Sequence, residues 1–162
     1  IRISADDTKV FLWLSDTDWV SSSLILAPYP AYGKLRRDTY ASSVKVNRSA
    51  LIDCLDRMAI VAAQDRADMP KVVVTISKTK FHLKLTIKDV GDSEESVTIS
   101  DGPESSFQIA FSLGFLMDAV RNVDGNFFEF SFGMKDDEAR GPLSSCRLTD
   151  ETGWEALLMP RR

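Results

Sequence analysis

One histidine, two cysteines and eight glycines are a thin supply for 162 residues, and each shortage removes a class of function. An enzyme needs convergent reactive side chains. The sole histidine, His82, falls mid-way along an alternating run on its polar side, with no serine or cysteine partner in a recognisable motif. A solvent-facing histidine is the simpler reading. The glycines that would build a phosphate loop, Gly91, Gly102 and Gly114, stand singly. No Gly-x-Ser-x-Gly elbow occurs. Cys54 and Cys146 are far apart and neither belongs to a CxxC, so they read as two reduced, semi-buried thiols of a cytosolic protein. No apolar run reaches the ~20 residues that span a bilayer. The opening Ile1-Arg2-Ile3-Ser4-Ala5-Asp6-Asp7 lacks the basic and apolar regions of a secretory signal and any initiator methionine. It begins inside a strand pattern and so reads as a piece of something longer. Positive charge is also short: 20 Lys and Arg face 24 Asp and Glu, a net charge of −4. A domain that reads nucleic acid tightly is basic, so tight direct readout is disfavoured. The acidic runs at Asp92, Glu94 and Glu95 and at Asp136, Asp137 and Glu138 lack the spacing of a calcium loop and read as solvated turns.

Strand patterns fill most of the chain. Val10, Leu12 and Leu14 alternate with Phe11, Trp13 and Ser15, and a second alternating run covers 19–24; Asp16-Thr17-Asp18 joins them as a hairpin. Two prolines and a glycine then break the pattern in Ala27-Pro28-Tyr29-Pro30-Ala31-Tyr32-Gly33, because proline fixes φ and holds its predecessor extended. Residues 27–41 therefore read as a connector between a first piece, 1–26, and a domain, 42–162.

The domain opens with a short strand at Ser43-Val44-Lys45-Val46. A helix capped by Asn47 or Ser49 follows, with Leu51, Leu55, Met58, Ala59 and Ala62 at helical spacing. Strands follow at 72–76, 81–88, 96–99 and 107–111. A second helix starts at Ser112, carries Leu116, Ala119, Val120 and Val123, and stops at Asp124-Gly125. Phe128, Phe130 and Phe132 mark the next strand, and 144–148 and 154–158 form a closing pair. The order is two copies of a strand-helix-meander unit, which implies an α+β layer domain with antiparallel sheets and two helices on one face.

The closing run Trp154-Glu155-Ala156-Leu157-Leu158-Met159-Pro160-Arg161-Arg162 resembles the final strand of the bacterial β sliding clamp, the DNA polymerase III beta subunit. Residues 26–35 are similar to that family's connector between its middle and last domains. Residues 50–61 are similar to the first helix of the last domain. Residues 107–120 resemble the strand-to-helix stretch of its second unit, with Ser112 for the usual asparagine and Phe115 for the usual tyrosine. Gly141-Pro142-Leu143 fits the turn before the last strands, and the acidic stretch at 135–140 is a departure. Residues 1–26 then correspond to the end of the middle domain.

The resemblance implies a clamp-fold, non-enzymatic processivity subunit, without cofactor or metal, acting in the cytoplasm in DNA replication. It implies a head-to-tail homodimeric ring around double-stranded DNA, free of sequence preference, which a mildly acidic protein with a local basic lining is able to hold loosely. DNA polymerase and clamp-loader subunits would dock short peptides in an apolar cleft. This chain's share of the cleft would be Pro30, Leu35, Leu143, Ser145, Leu157, Leu158, Met159 and Pro160. Of these, Met159 and Pro160 carry most weight, since one of the adjacent Leu157 and Leu158 must face the core. Ile60 and Val61 would meet the next subunit, and Arg48, Arg57 and Arg121 would face DNA. The other wall of the cleft and the first domain are missing from the chain, so alone it would bind peptide weakly and close no ring. The competing reading is a stand-alone clamp-fold interaction module that does not encircle DNA.

Overall fold

The computed structural model describes residues 1–25, 27–29, 31–37, 39–64, 70–133 and 145–161. They form two compact units, Ile1–Tyr32 and Gly33–Arg162. The first is a three-stranded antiparallel meander of β1 (Arg2–Ala5), β2 (Lys9–Trp13) and β3 (Trp19–Ser23). Its first turn is closed by the Asp6 carboxylate, which accepts from the Thr8 and Lys9 amides at 2.7 and 2.8 Å. Asp and Ser favour turns because their side chains replace a backbone partner in this way. In the second turn, Ser15 Oγ accepts from the Asp18 amide at 2.9 Å. Leu12 lies opposite Ile3 and Val20, and Trp13 opposite Arg2 and Trp19, so one face is aliphatic and the other bears the tryptophans.

The second unit runs β4 (Ser42–Asn47), α1 (Arg48–Ala62), β5 (Lys71–Ile76), β6 (Lys80–Ile87), β7 (Gly91–Thr98), β8 (Phe107–Ser112), α2 (Leu113–Arg121), β9 (Phe127–Phe132), β10 (Cys146–Thr149) and β11 (Glu155–Leu158). The repeated strand-helix-meander order is present. The strands form two four-stranded antiparallel sheets, ordered β7-β6-β5-β8 and β11-β10-β9-β4. Each repeat's first strand has crossed into the sheet built by the other repeat's meander. A strand followed by a helix has no hairpin partner, so β4 pairs with distant β9, and β8 pairs with β5. Such long-range pairing leaves no local signal in the sequence. The two sheets also meet along both borders, through a bridge between Lys45 and Ser100 and through the Arg161 amide, which donates to the Ala110 carbonyl at 2.7 Å.

The core is aromatic at its centre. Phe130 of β9 meets Phe81 of β6 and Phe111 of β8 edge-on, with ring centroids 5.4 and 6.1 Å apart. All three are fully buried. Edge-to-face packing suits the positive rim and negative face of aromatic rings. Over this core α1 buries Leu51, Cys54, Leu55, Met58 and Ala62, and α2 buries Leu113, Leu116, Ala119 and Val120. Asn47 caps α1: its Oδ1 accepts from the Ala50 amide at 2.9 Å. Asn47→Ala is expected to lower stability by about 1 kcal/mol, the usual loss for an N-cap, with an unchanged slope in urea denaturation. At α2, Ser112 occupies the cap position but makes no side-chain cap bond, and the helix stops at Arg121, ahead of Asp124-Gly125.

Cys54 and Cys146 are both free and buried. Burial pushes the Cys146 thiol up to about 12, so it stays protonated at neutral pH. His82 sits half-exposed on β6, its Nε2 3.9 Å from Glu94. Among the described residues no helix is long and apolar enough to cross a membrane.

Candidate functional site

Strand β11 brings Leu157 and Leu158 beside the exposed flank of α2, and the chain continues through Met159 and Pro160. Between these elements lies a groove of about 620 Å³, mostly apolar in lining. Phe115 and Ala119 form its helical side, and Ala156, Leu157, Leu158 and Met159 its strand side. Ser112, Asp118 and Arg161 complete it. Phe115 is 56% exposed and Met159 51% exposed, large values for side chains of this size and polarity. A flexible methionine beside a free aromatic ring is a surface suited to apolar anchors of varied shape. The backbone bond from Arg161 to Ala110 anchors the segment after Met159 to β8.

The structure distributes the residues expected for the cleft unevenly. Leu157, Leu158 and Met159 line the groove together. Leu158 faces the core, 6% exposed, while Leu157 and Pro160 are half-buried. Ser145 is buried, and its hydroxyl donates to the Leu35 carbonyl at 2.8 Å. Because Cys146 pairs with Leu158, Ser145 stands at the end of β10 where Met159 leaves β11. Arg36 reinforces this approach of the connector, with Nε 3.1 Å from Glu155 Oε1 on β11. Pro30 and Leu143 lie outside the described residues. Phe115 and Ala119 were not anticipated as groove residues. The available signal was Phe115 itself, a large apolar side chain one position off the stripe formed by Leu116, Ala119 and Val120.

Of the two aliphatics closing α1, Ile60 is 69% exposed, whereas Val61 packs against the core. All three helix arginines have partners within the chain. Arg48 donates from Nε to the Val120 carbonyl at 3.3 Å and from Nη2 to the Arg121 carbonyl at 2.8 Å. It thus satisfies carbonyls at the C-terminus of α2, where positive charge also suits the helix dipole. Arg57 forks onto Glu95 of β7, with Nε and Nη2 at 2.7 and 2.8 Å from the two carboxylate oxygens. The guanidinium holds the Glu95 carboxyl below its ordinary range. Burial, followed by the nearby Glu95 charge, pushes the Cys54 thiol up. Arg121 Nη2 lies 2.7 Å from Asp56 Oδ1. Among the described residues, no three His, Cys, Asp or Glu side chains gather closely enough to hold a metal ion.

Residues 38–140 match the family described as DNA polymerase III beta subunit, C-terminal domain. A beta sliding clamp of Synechocystis is 29% identical over 126 residues, 78% of this chain and 32% of the relative. A beta sliding clamp of Staphylococcus epidermidis is 22% identical over 111 residues, 68% of this chain and 29% of the relative. The chain thus spans about a third of the length of these curated relatives. Among solved structures, the pol III beta of Caulobacter crescentus superposes with a TM-score of 0.77 at 20% identity, covering 99% of this chain and 40% of that one. The beta subunit of Thermotoga maritima gives 0.73 at 21% identity, with 99% and 41% covered. A Bartonella birtlesii sliding clamp, solved bound to griselimycin, gives 0.76 at 19% identity, with 99% and 40% covered. The structural likenesses agree with the strand-helix-meander repeat, and the match over residues 38–140 places the chain in the DNA polymerase III beta subunit family, the bacterial β sliding clamps, as a bearer of its C-terminal domain.

Proposed function

We propose that this chain serves a sliding clamp as its last domain, residues 42–162, joined by the connector 27–41 to the final strands of the domain before it, residues 1–26. The clamp is a non-enzymatic processivity factor of bacterial DNA replication. It forms a head-to-tail homodimeric ring around double-stranded DNA in the cytoplasm and tethers polymerase and clamp-loader subunits through short peptides. The observation that carries the docking reading is the groove between α2 and β11, apolar yet open, with Met159 and Phe115 left exposed beside it. Exposed apolar patches of this kind mark protein-binding surfaces. Leu35, Ser145 and Pro160 extend the same region along the end of the β10–β11 pair, and Pro30 and Leu143 belong to it by sequence position. Ile60, exposed at the end of α1, is the residue through which this domain meets the next subunit, with Val61 supporting it from the core side. The helix face bearing Arg48, Arg57 and Arg121 is turned toward DNA.

The test is binding of a fluorescent peptide with leucine and phenylalanine anchors to the full-length protein. Saturable binding is expected, and Met159→Ala is expected to weaken it about tenfold, the loss typical of an anchor contact. A well-folded protein that binds no such peptide would remove the docking function and favour a clamp-fold module with a different protein partner.

A further inference from the structure

Two arginines on the exposed helix face do not point freely into solvent. Arg121 of α2 is held by Asp56 of α1 at 2.7 Å. Arg57 of α1 is held by both oxygens of Glu95 at 2.7 and 2.8 Å. The side chains of Arg121 and Asp56 are each about half exposed, 51% and 50%, whereas Arg57 is 56% exposed and its partner Glu95 only 22%. An ion pair as wet as Arg121–Asp56 is weak, because water screens the charges and the side chains lose freedom in holding one geometry, and the more sheltered Arg57–Glu95 pair is screened less. Both remain strong enough to compete with a phosphate that also meets its arginine in water. Asp53 lies on the same helix, exposed, and adds a further negative charge to this face.

We infer that the α1–α2 face is a self-neutralised phosphate surface, on which Asp56 and Glu95 compete with DNA phosphates for Arg121 and Arg57 and so keep this domain's grip on DNA weak and exchangeable. The inference rests on the reading that this face is turned toward DNA. The partner it fits is a regular polyanion contacted one phosphate at a time: each arginine swaps a carboxylate for a phosphate oxygen of similar geometry and swaps back as the duplex moves. Arg48 does not join the exchange, because its guanidinium is committed to the Val120 and Arg121 carbonyls. The bidentate Arg57 pair is the tighter of the two holds, since a fork on a carboxylate forms two parallel charge-assisted bonds. Arg121, with its single bond, is the readier one to exchange.

The experiment is the salt dependence of binding of the full-length protein to a fluorescent linear duplex, read by anisotropy. Asp56→Asn is expected to raise affinity about two- to fivefold, the range set by a competing exposed pair. It is also expected to steepen the salt slope by about one phosphate contact. Asp53→Asn removes the same charge from the same helix without releasing Arg121, and is expected to raise affinity less and leave the slope unchanged. In an Arg121→Gln background the gain from Asp56→Asn should vanish. Equal gains from the two aspartate variants, or a gain that survives Arg121→Gln, would reduce the effect to net charge and overturn the competition. If Arg121→Glu weakens DNA binding while Asp56→Asn changes nothing, the face meets DNA but the pairs do not regulate it, which also overturns the inference. If none of these variants moves DNA binding, the face is not turned toward DNA, and the underlying reading fails.

Discussion

Phe130→Ala is expected to remove a large share of the stability of the Gly33–Arg162 unit. The ring is 0% exposed and touches Phe81 and Phe111, which belong to the other sheet, as well as Phe132 on its own strand. Truncation removes the transfer energy of the ring and leaves a cavity that two stiff sheets cannot fully close. That combination costs about 3–5 kcal/mol for a buried phenylalanine. A domain of this size has about 5–15 kcal/mol in all. Equilibrium denaturation by urea, followed by tryptophan fluorescence and far-ultraviolet circular dichroism, measures the loss. Phe130→Leu keeps most of the volume and is expected to cost far less. A loss below about 1 kcal/mol for the alanine variant would mean that the sheets are not joined through this ring.

Gly102→Ala is expected to be the most damaging change of a single methyl group. A Cβ at this position would run into the Ser77 carbonyl oxygen and lie 2.8 Å from the Lys78 carbonyl oxygen. Both obstacles are backbone of the β5–β6 turn and cannot rotate away. The Gly102 amide donates to that same Lys78 carbonyl at 3.0 Å, and the Ile99 amide donates to the Thr79 carbonyl at 3.0 Å. The segment that follows β7 is therefore pinned against the turn at glycine distance. Pushing it away breaks these bonds and is expected to cost about 2–3 kcal/mol, at the upper end of ordinary overpacking. Hydrogen exchange at the Ile99 and Gly102 amides should accelerate along with the fall in Tm. Gly114 supplies the contrast. Nothing lies within 4 Å of its would-be Cβ, and it sits in α2. Gly114→Ala should stabilise the protein by up to about 1 kcal/mol, the helix preference of alanine over glycine. Destabilisation of equal size at both sites would contradict the steric account of Gly102.

What was legible in the sequence is what local chemistry writes. The stripe of Leu51, Leu55, Met58 and Ala62 gave α1, and Asn47 at its start is the cap found. Alternation in 81–88 gave β6, with His82 on its wet side as read. Residues 154–158 read as a closing strand in which one of Leu157 and Leu158 faces the core; which of the two, Leu158, only the structure shows. What was not legible depends on residues far apart in the chain. Nothing near Ser43 announces a partner at Ser131, and nothing near Arg57 or Arg121 announces Glu95 or Asp56, 38 and 65 residues away. The arginines therefore read as free cations in the sequence and are paired in the structure. Phe115 read as a substitution in a familiar stretch, and only the packing of α2 beside β11 makes it a wall of the groove.

The crossing of β4 and β8 has a consequence for history as well as for folding. A single strand-helix-meander unit, made alone, would have one open slot in its sheet and one strand with nowhere to go. A second copy of itself has the matching slot and the matching spare strand. Two such copies would trade strands and close a symmetric pair, the arrangement known as domain swapping. The present domain has the layout of that pair with its two chains joined end to end, the stretch between β7 and β8 being the join. A tandem duplication of a small obligate homodimer would leave this architecture behind, and it explains why neither half contains a complete sheet of its own.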